Sequence, residues 1–250
     1  MNKIDFCKNN IRIKLVETQD ELNQARRLRY EELVLFHRSP DDITLEETYD
    51  ALDKDCDHLK AIYVNTNQVV GCYRLIMRKH LPYTGGFVIE SNFNIDDIKN
   101  SSKEILEMGR AAVKDGYRDG FVIKMLFAGL FKYIELNGVE FLFGVISLPE
   151  MEEKVFKNLM GYFYTMASKD PKIQPFGKDP SFSLNMVDES ELDIPSAKRN
   201  VPPVLKAYIA MGCSFATTGN MQNRLLRTKD VLVMMDMQKI NRRYMEFVTR

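Results

Sequence analysis

Apolar and basic residues alternate over residues 11–16, where Ile11, Ile13 and Leu15 are spaced by Arg12 and Lys14; this predicts a strand at a sheet edge. Thr18 and Asp20 offer N-caps, and the stripe Leu22, Ala25, Leu28, Leu33, Phe36 predicts a helix over residues 20–36, ended by Pro40. Residues 39–52 are polar and acidic and read as a long ordered loop. Two apolar runs, 59–64 and 69–77, flank Asn65-Thr66-Asn67 and read as a hairpin. Pro82 and Gly85-Gly86 mark a loop, and a short helical piece begins near Asp96. The run 105–113, I-L-E-M-G-R-A-A-V, reads as a strand. An apolar helix over 121–137, closed by Gly138, and a buried strand over 139–147 follow. Further helices are expected from Pro149 to about Met160, over 201–211 with Gly212 as cap, and over 238–248, with a strand at 231–235. Residues 169–203, rich in Pro, Lys, Asp and Ser, read as an insertion or linker. Helices interleaved with strands and a hairpin predict an α/β fold with a mixed sheet.

Composition narrows the class. A chain of 250 residues, 45% hydrophobic and 28% charged, has ample material for a core. Lys and Arg total 35, as do Asp and Glu, so no basic excess points to nucleic acid. Cys7, Cys56, Cys72 and Cys213 form no C-x-x-C, and their spacing matches neither a zinc site nor a disulfide framework; no metal site is expected. The first ten residues lack the apolar core of a signal peptide, and no run approaches the ~20 apolar residues of a spanning helix. The expectation is a cytoplasmic protein, with peripheral membrane contact allowed.

Residues 105–113 pose the chemical question. Glu107 and Arg110 lie inside an apolar run, where charges are seldom buried unless paired or functional. Residues i and i+3 of a regular strand face opposite sides. For the two to share a face the strand needs a bulge, and Gly109 between them is where one would sit. A bulged, splayed strand exposes N–H groups suited to an oxyanion, with Glu107 placed to take a proton from an attacking amine. The pair equally suits an ion pair bracing the sheet to the first helix.

Four elements in fixed order then become recognisable: Arg29-Tyr30; the acidic stretch holding Asp50, Asp53, Cys56, Asp57 and His58; Val70-Gly71-Cys72-Tyr73-Arg74-Leu75; and Glu107-Met108-Gly109-Arg110. Together they resemble the "hemolysin-like" N-acyltransferases of the ornithine-lipid type, and more distantly the acyl-homoserine-lactone synthases, both of the GNAT-like superfamily. The likeness spans roughly residues 15–147, with an echo over 201–247 where Pro203 to Gly212 match a family helix. The resemblance implies a single GNAT-like domain over residues 1–250, with an insertion or lid at 165–203. Its mixed, mostly antiparallel central sheet would be flanked by helices and carry a splayed, bulged central strand.

The resemblance also implies an enzyme that moves a fatty acyl group from acyl carrier protein, or acyl-CoA, to the amine of ornithine, lysine or glycine. The donor is a co-substrate, and no permanent cofactor is implied. It assigns Glu107, Asp53 and Arg110 to catalysis and Arg29, Arg74, Asp50 and His58 to substrate binding. Chemistry fits these types: a carboxylate can deprotonate an ammonium, and an arginine can clamp an α-carboxylate. A bracing network is the other reading for Arg29, Asp50 and Asp53, and a hydrogen-bonded structural role for His58. Phe127, Leu130 and Phe131 would line an acyl pocket, or simply pack as core. An acidic carrier would dock on basic residues, with Lys198, Arg199, Arg224, Arg227, Lys229, Arg242 and Arg243 the candidates. Residues 114–120 only hint at the pyrophosphate-binding loop of GNAT enzymes, which favours a carrier-protein donor. An autoinducer synthase should show a conspicuous Trp-containing aromatic set, and this chain has no Trp. A non-catalytic binding module is the remaining alternative.

Overall fold

The structure, a computed structural model, describes residues 4–35, 43–221 and 228–249. In chain order it forms β1 (Asp5–Lys8), β2 (Ile11–Leu15), α1 (Gln19–Arg29), β3 (Asp57–Tyr63), β4 (Gln68–Met77), α2 (Leu81–Thr84), β5 (Phe93–Asn94) and α3 (Asp96–Lys99). There follow β6 (Ile105–Val113), α4 (Phe121–Asn137), β7 (Phe141–Leu148), α5 (Glu153–Tyr164), β8 (Phe176–Gly177) and β9 (Ser181–Ser183). The chain ends with α6 (Ile194–Asn200), α7 (Pro203–Met211), β10 (Ser214–Phe215), β11 (Thr218–Asn220), β12 (Lys229–Asp236) and α8 (Arg242–Thr249). This is the mixed α/β, mostly antiparallel GNAT-like architecture. The chain divides into two compact units: residues 1–87, 106–140 and 243–250, and residues 88–105 and 141–242.

The first unit holds a five-stranded sheet in the order β1-β2-β3-β4-β6, every pair antiparallel. The expected edge strand is therefore interior: β1, whose polar D-F-C-K lacks a periodic signal, pairs outside β2. Helix α1 starts where expected, with the Thr18 hydroxyl accepting from the N–H of Glu21. It ends at Arg29, and the chain continues as a π-helical turn over Tyr30–Val34. Phe36 and Pro40 lie outside the described residues. The polar loop expected after them contains two 3₁₀ turns, Glu46–Thr48 and Ala51–Asp55.

Strand alternation sorts this sheet into two faces. Helix α1 covers one: Ala25 and Leu28 pack with Ile62, Val69, Cys72 and Ala112, and Lys60 is paired to Glu21. Helix α4 covers the other, where Gly129 lets the helix backbone come close to the sheet. A Cβ there would lie 2.6 Å from Ile13 Cγ2 and 3.4 Å from Leu59. Gly71 does the same from the strand side, against Val122 and Leu126.

In the second unit β7, β12, β11 and β9 pair in that order, and β10 also pairs with β12. Strands β5 and β8 form a separate ribbon, and one parallel bridge joins Ala167 and Phe215. Phe163 stacks on Phe215 with centroids 4.5 Å apart. The polar segment 165–203 contributes β8, β9 and α6 to this packing, with Leu184 and Ala197 buried. No helix of the described residues is long and apolar enough to cross a membrane.

Candidate active site

The site residues lie in the first unit, on the α1 face of its sheet. Arg26 and Arg29, one helical turn apart, project from α1 on one side. Asp50 caps the second 3₁₀ turn and Asp53 lies within it, and the turn's three-residue repeat brings positions i and i+3 into line. Arg74 comes from the middle of β4.

Asp53, 1% exposed, receives Arg29 through both guanidinium nitrogens at 3.1 and 2.5 Å, Arg26 at 3.1 Å and Arg74 at 3.2 Å. Asp50 receives Arg74 at 2.5 Å and Arg110 at 3.0 and 3.3 Å. Burial resists ionisation of Asp53, but Arg29 and then Arg74 hold it far below the usual carboxylate range. Burial likewise resists at Asp50, and Arg110 and Arg74 keep it below its ordinary value. Arg74 stays protonated against its own burial because Asp50, Asp53 and Glu107 surround it. Its Nε, also buried, has no hydrogen-bond partner among the described residues.

Glu107 and Arg110 do share a face, and a bulge accomplishes it. Between β4 and β6, Arg74 pairs with Gly109 and Cys72 with Ala112, so Arg110 and Ala111 together stand opposite Tyr73. Glu107 pairs with Ile76, two residues from Arg74, and so points to the Arg74 side. The left-handed residue is Arg110, with φ of +53°, rather than the glycine beside it. That conformation costs a non-glycine residue about 1–2 kcal/mol, and the two bonds from Arg110 to Asp50 offset it. A Cβ at Gly109 would lie 3.9 Å from Arg74 Nη2, an ordinary contact, so space alone does not demand a glycine there. Four guanidiniums (Arg26, Arg29, Arg74, Arg110) face three carboxylates (Asp50, Asp53, Glu107), an excess of one positive charge.

His58 is buried on the same face with Nε2 2.8 Å from the carbonyl oxygen of Asp53; burial, then Arg29, push it down to about 4. It is neutral at pH 7 and braces the Asp53 turn. Ligand atoms of Asp53, Cys56 and His58 lie within 4.8 Å of one another. A metal ion there would compete with three guanidiniums for Asp53, so the surroundings suit no cation. Burial pushes the Cys56 thiol up to about 12 and the Cys72 thiol up to about 11, which leaves neither as a thiolate nucleophile.

Phe127, Leu130 and Phe131 are buried in α4, whose side of the sheet is the one facing away from the arginine network. Of the basic residues, Lys198, Arg199, Lys229, Arg242 and Arg243 are exposed, and Lys229 Nζ lies over the Phe156 ring, 4.1 Å from its centroid. Arg224 and Arg227 fall outside the described residues. Arg26 is the network member that sequence reasoning passed over; its i, i+3 relation to Arg29 was the available signal.

Residues 28–128 match the family described as acetyltransferase (GNAT) domain. The chain is 27% identical to the L-ornithine N(alpha)-acyltransferase of Rhodobacter capsulatus, over 95% of this chain and 94% of that protein. It is 24% identical to the protein of the same name from Rhizobium meliloti, over 95% and 84%. Among solved structures, a CoA-dependent acyl-homoserine lactone synthase superposes with a TM-score of 0.51 at 15% identity, over 94% of this chain and 85% of the other. By its fold, its family match and its relatives, the chain is an acyltransferase of GNAT-like architecture.

Proposed function

We propose that the protein is an N-acyltransferase that moves a fatty acyl group from the thioester of an acyl carrier protein to the amine of an amino acid. Ornithine is the first acceptor to try, because the relatives carry it in their names. The observation that carries this reading is the bulge that sets Glu107 and Arg110 beside buried Arg74, in a cluster with one positive charge in excess.

Each part has a role. The excess positive charge, centred on Arg74, suits the α-carboxylate of an amino acid. Glu107 takes a proton from the acceptor's ammonium, leaving a neutral amine. That nitrogen attacks the thioester carbonyl; as the C–N bond forms and the C–S bond breaks, the nitrogen's second proton passes to the departing thiolate, and the proton held by Glu107 is released to solvent. Unpaired N–H groups at the bulge would stabilise the oxyanion. Asp53, held by three guanidiniums, suits the positioning of those arginines better than proton transfer. The product is amphiphilic, which favours peripheral contact with a membrane on the cytoplasmic side. The exposed basic residues Lys198, Arg199, Arg242 and Arg243 suit an acidic carrier.

The test incubates the purified protein with an acylated carrier protein and ornithine, lysine or glycine, following thiol release and the N-acyl product by mass spectrometry. Amine-dependent product from the wild type, lost in Glu107→Gln, supports the reading. Absence of amine-dependent thiol release with all three acceptors sinks it.

A further inference from the structure

The segment joining β6 to α4 carries charges that the mechanism above leaves unused. Residues 114–120 read K-D-G-Y-R-D-G, with Gly116 at φ +80° and Gly120 at φ +93°. A glycine-containing turn from a strand into the start of a 17-residue helix is ordinarily ready for a phosphate, because N–H groups and the helix dipole converge there. Here the chain's own carboxylates take those positions. Glu32, from the π-helical turn, accepts the N–H of Asp115 through Oε1 at 3.0 Å and the Arg118 guanidinium through Oε2 at 2.6 Å. Asp119 Oδ1 accepts the N–H of Phe121, the first residue of α4, at 2.9 Å. The two cations of the turn are already matched, Arg118 by Glu32 and Lys114 by Glu31 at 3.6 Å. Arg118 is further tied by Nε to the carbonyl of Val113 at 3.1 Å. A pyrophosphate arriving here would have to displace two carboxylates and then face them.

We propose that Glu32, assisted by Asp119, selects the acyl donor: its carboxylate occupies the anion position of the turn and withholds it from the pyrophosphate of a CoA thioester. A donor whose pantetheine hangs from a protein through a single phosphodiester meets no such penalty. The idea rests on the thioester chemistry proposed above, but its consequence for binding does not require turnover.

The test compares acyl-carrier protein, acyl-CoA and acyl-pantetheine, which carries no phosphate, on the wild type and on a Glu32→Gln/Asp119→Asn double variant. In the wild type, kcat/KM for acyl-CoA should not exceed that for acyl-pantetheine. In the variant the acyl-CoA to acyl-pantetheine ratio should rise roughly tenfold, the scale of one charge-assisted contact, with acyl-pantetheine itself unchanged. Calorimetric titration with CoA alone should show the same gain in affinity, and it reads the proposal even if no donor supports turnover. If the double variant does not fold, Asp119→Asn alone, which keeps the Glu32 anchor, should shift the ratio and the CoA affinity the same way. Equal CoA affinity in wild type and variant, or a wild type that already prefers acyl-CoA about tenfold over acyl-pantetheine, overturns the proposal.

Discussion

On one face of the five-stranded sheet, α1 lies over His58, Lys60 and Arg74; on the other, α4 lies over Ile13, Leu59 and Gly71. The first face buries ion pairs, and its residues are held by opposite charge. The second buries methyl groups, and Gly71 and Gly129 remove side chains so that strand and helix can meet. A buried charge network adds little net stability, because desolvation consumes most of the Coulomb gain. Its persistence beside a well-packed apolar face points to use. The two faces should therefore respond to substitution in different currencies: turnover for one, stability for the other.

The sharpest break is expected at Glu107. Glu107→Gln keeps the volume and removes the base, so kcat should fall by about 10²–10⁴-fold with little change in Tm. An equal loss of Tm and activity would place Glu107 among the braces instead. Next is Asp53. Asp53→Ala leaves Arg26, Arg29 and Arg74 facing one another without their shared partner, and should cost about 3–5 kcal/mol in urea unfolding. A cost under about 1 kcal/mol would mean that water reaches the cluster and replaces the carboxylate.

The apolar face supplies the contrast. Gly129→Val forces a branched side chain against Ile13 and should destabilise by about 1–3 kcal/mol while leaving kcat unchanged in the folded fraction. A matching fall in kcat would show that the faces are coupled through the sheet. The smallest effect concerns Glu21. Burial works against its charge, but Lys60 and the N–H of Glu17 prevail and hold it at about 2, against an ordinary 4.5. A carboxylate depressed on folding stabilises above its unfolded value and loses that contribution as pH falls toward the folded one. The stability difference between wild type and Glu21→Gln should thus be full at pH 7 and shrink between pH 4.5 and about 2. A difference that stays constant with pH would assign it to packing of the side chain.

The same contrast explains what was legible in the sequence. Strand β6 announced itself because two charges inside an apolar run are rare, and the parity of positions 107 and 110 demanded a bulge. Its left-handed residue was missed because glycine is the default choice, whereas here Asp50 anchors Arg110 strongly enough to hold it there. Helix α4 was read correctly in extent, yet an apolar helix looks the same whether it lines a ligand tunnel or a sheet; only the contacts of Gly129 show which side of the sheet it covers. Segment 165–203 escaped because single anchors such as Leu184 and Ala197 are too sparse to produce a period. Glu32 could not be found by spacing, since Asp115 and Arg118, its partners, lie more than 80 residues away.

The bulge also has a consequence for how this chain can change. Because β6 carries one residue more than β4 across the site, the residues before and after it are out of phase: Glu107 and Ala112, five apart, both point toward α1. Deleting Ala111 would restore regular alternation: Glu107 and Ala112, then four apart, would both still face α1, but Arg110 would turn to the α4 side, away from Asp50. The chemistry of this strand is thus written in its residue count as much as in its residue identities. Substitutions at residues 108–111 can be graded in their effect, whereas that one deletion would remove the Arg110–Asp50 contact outright.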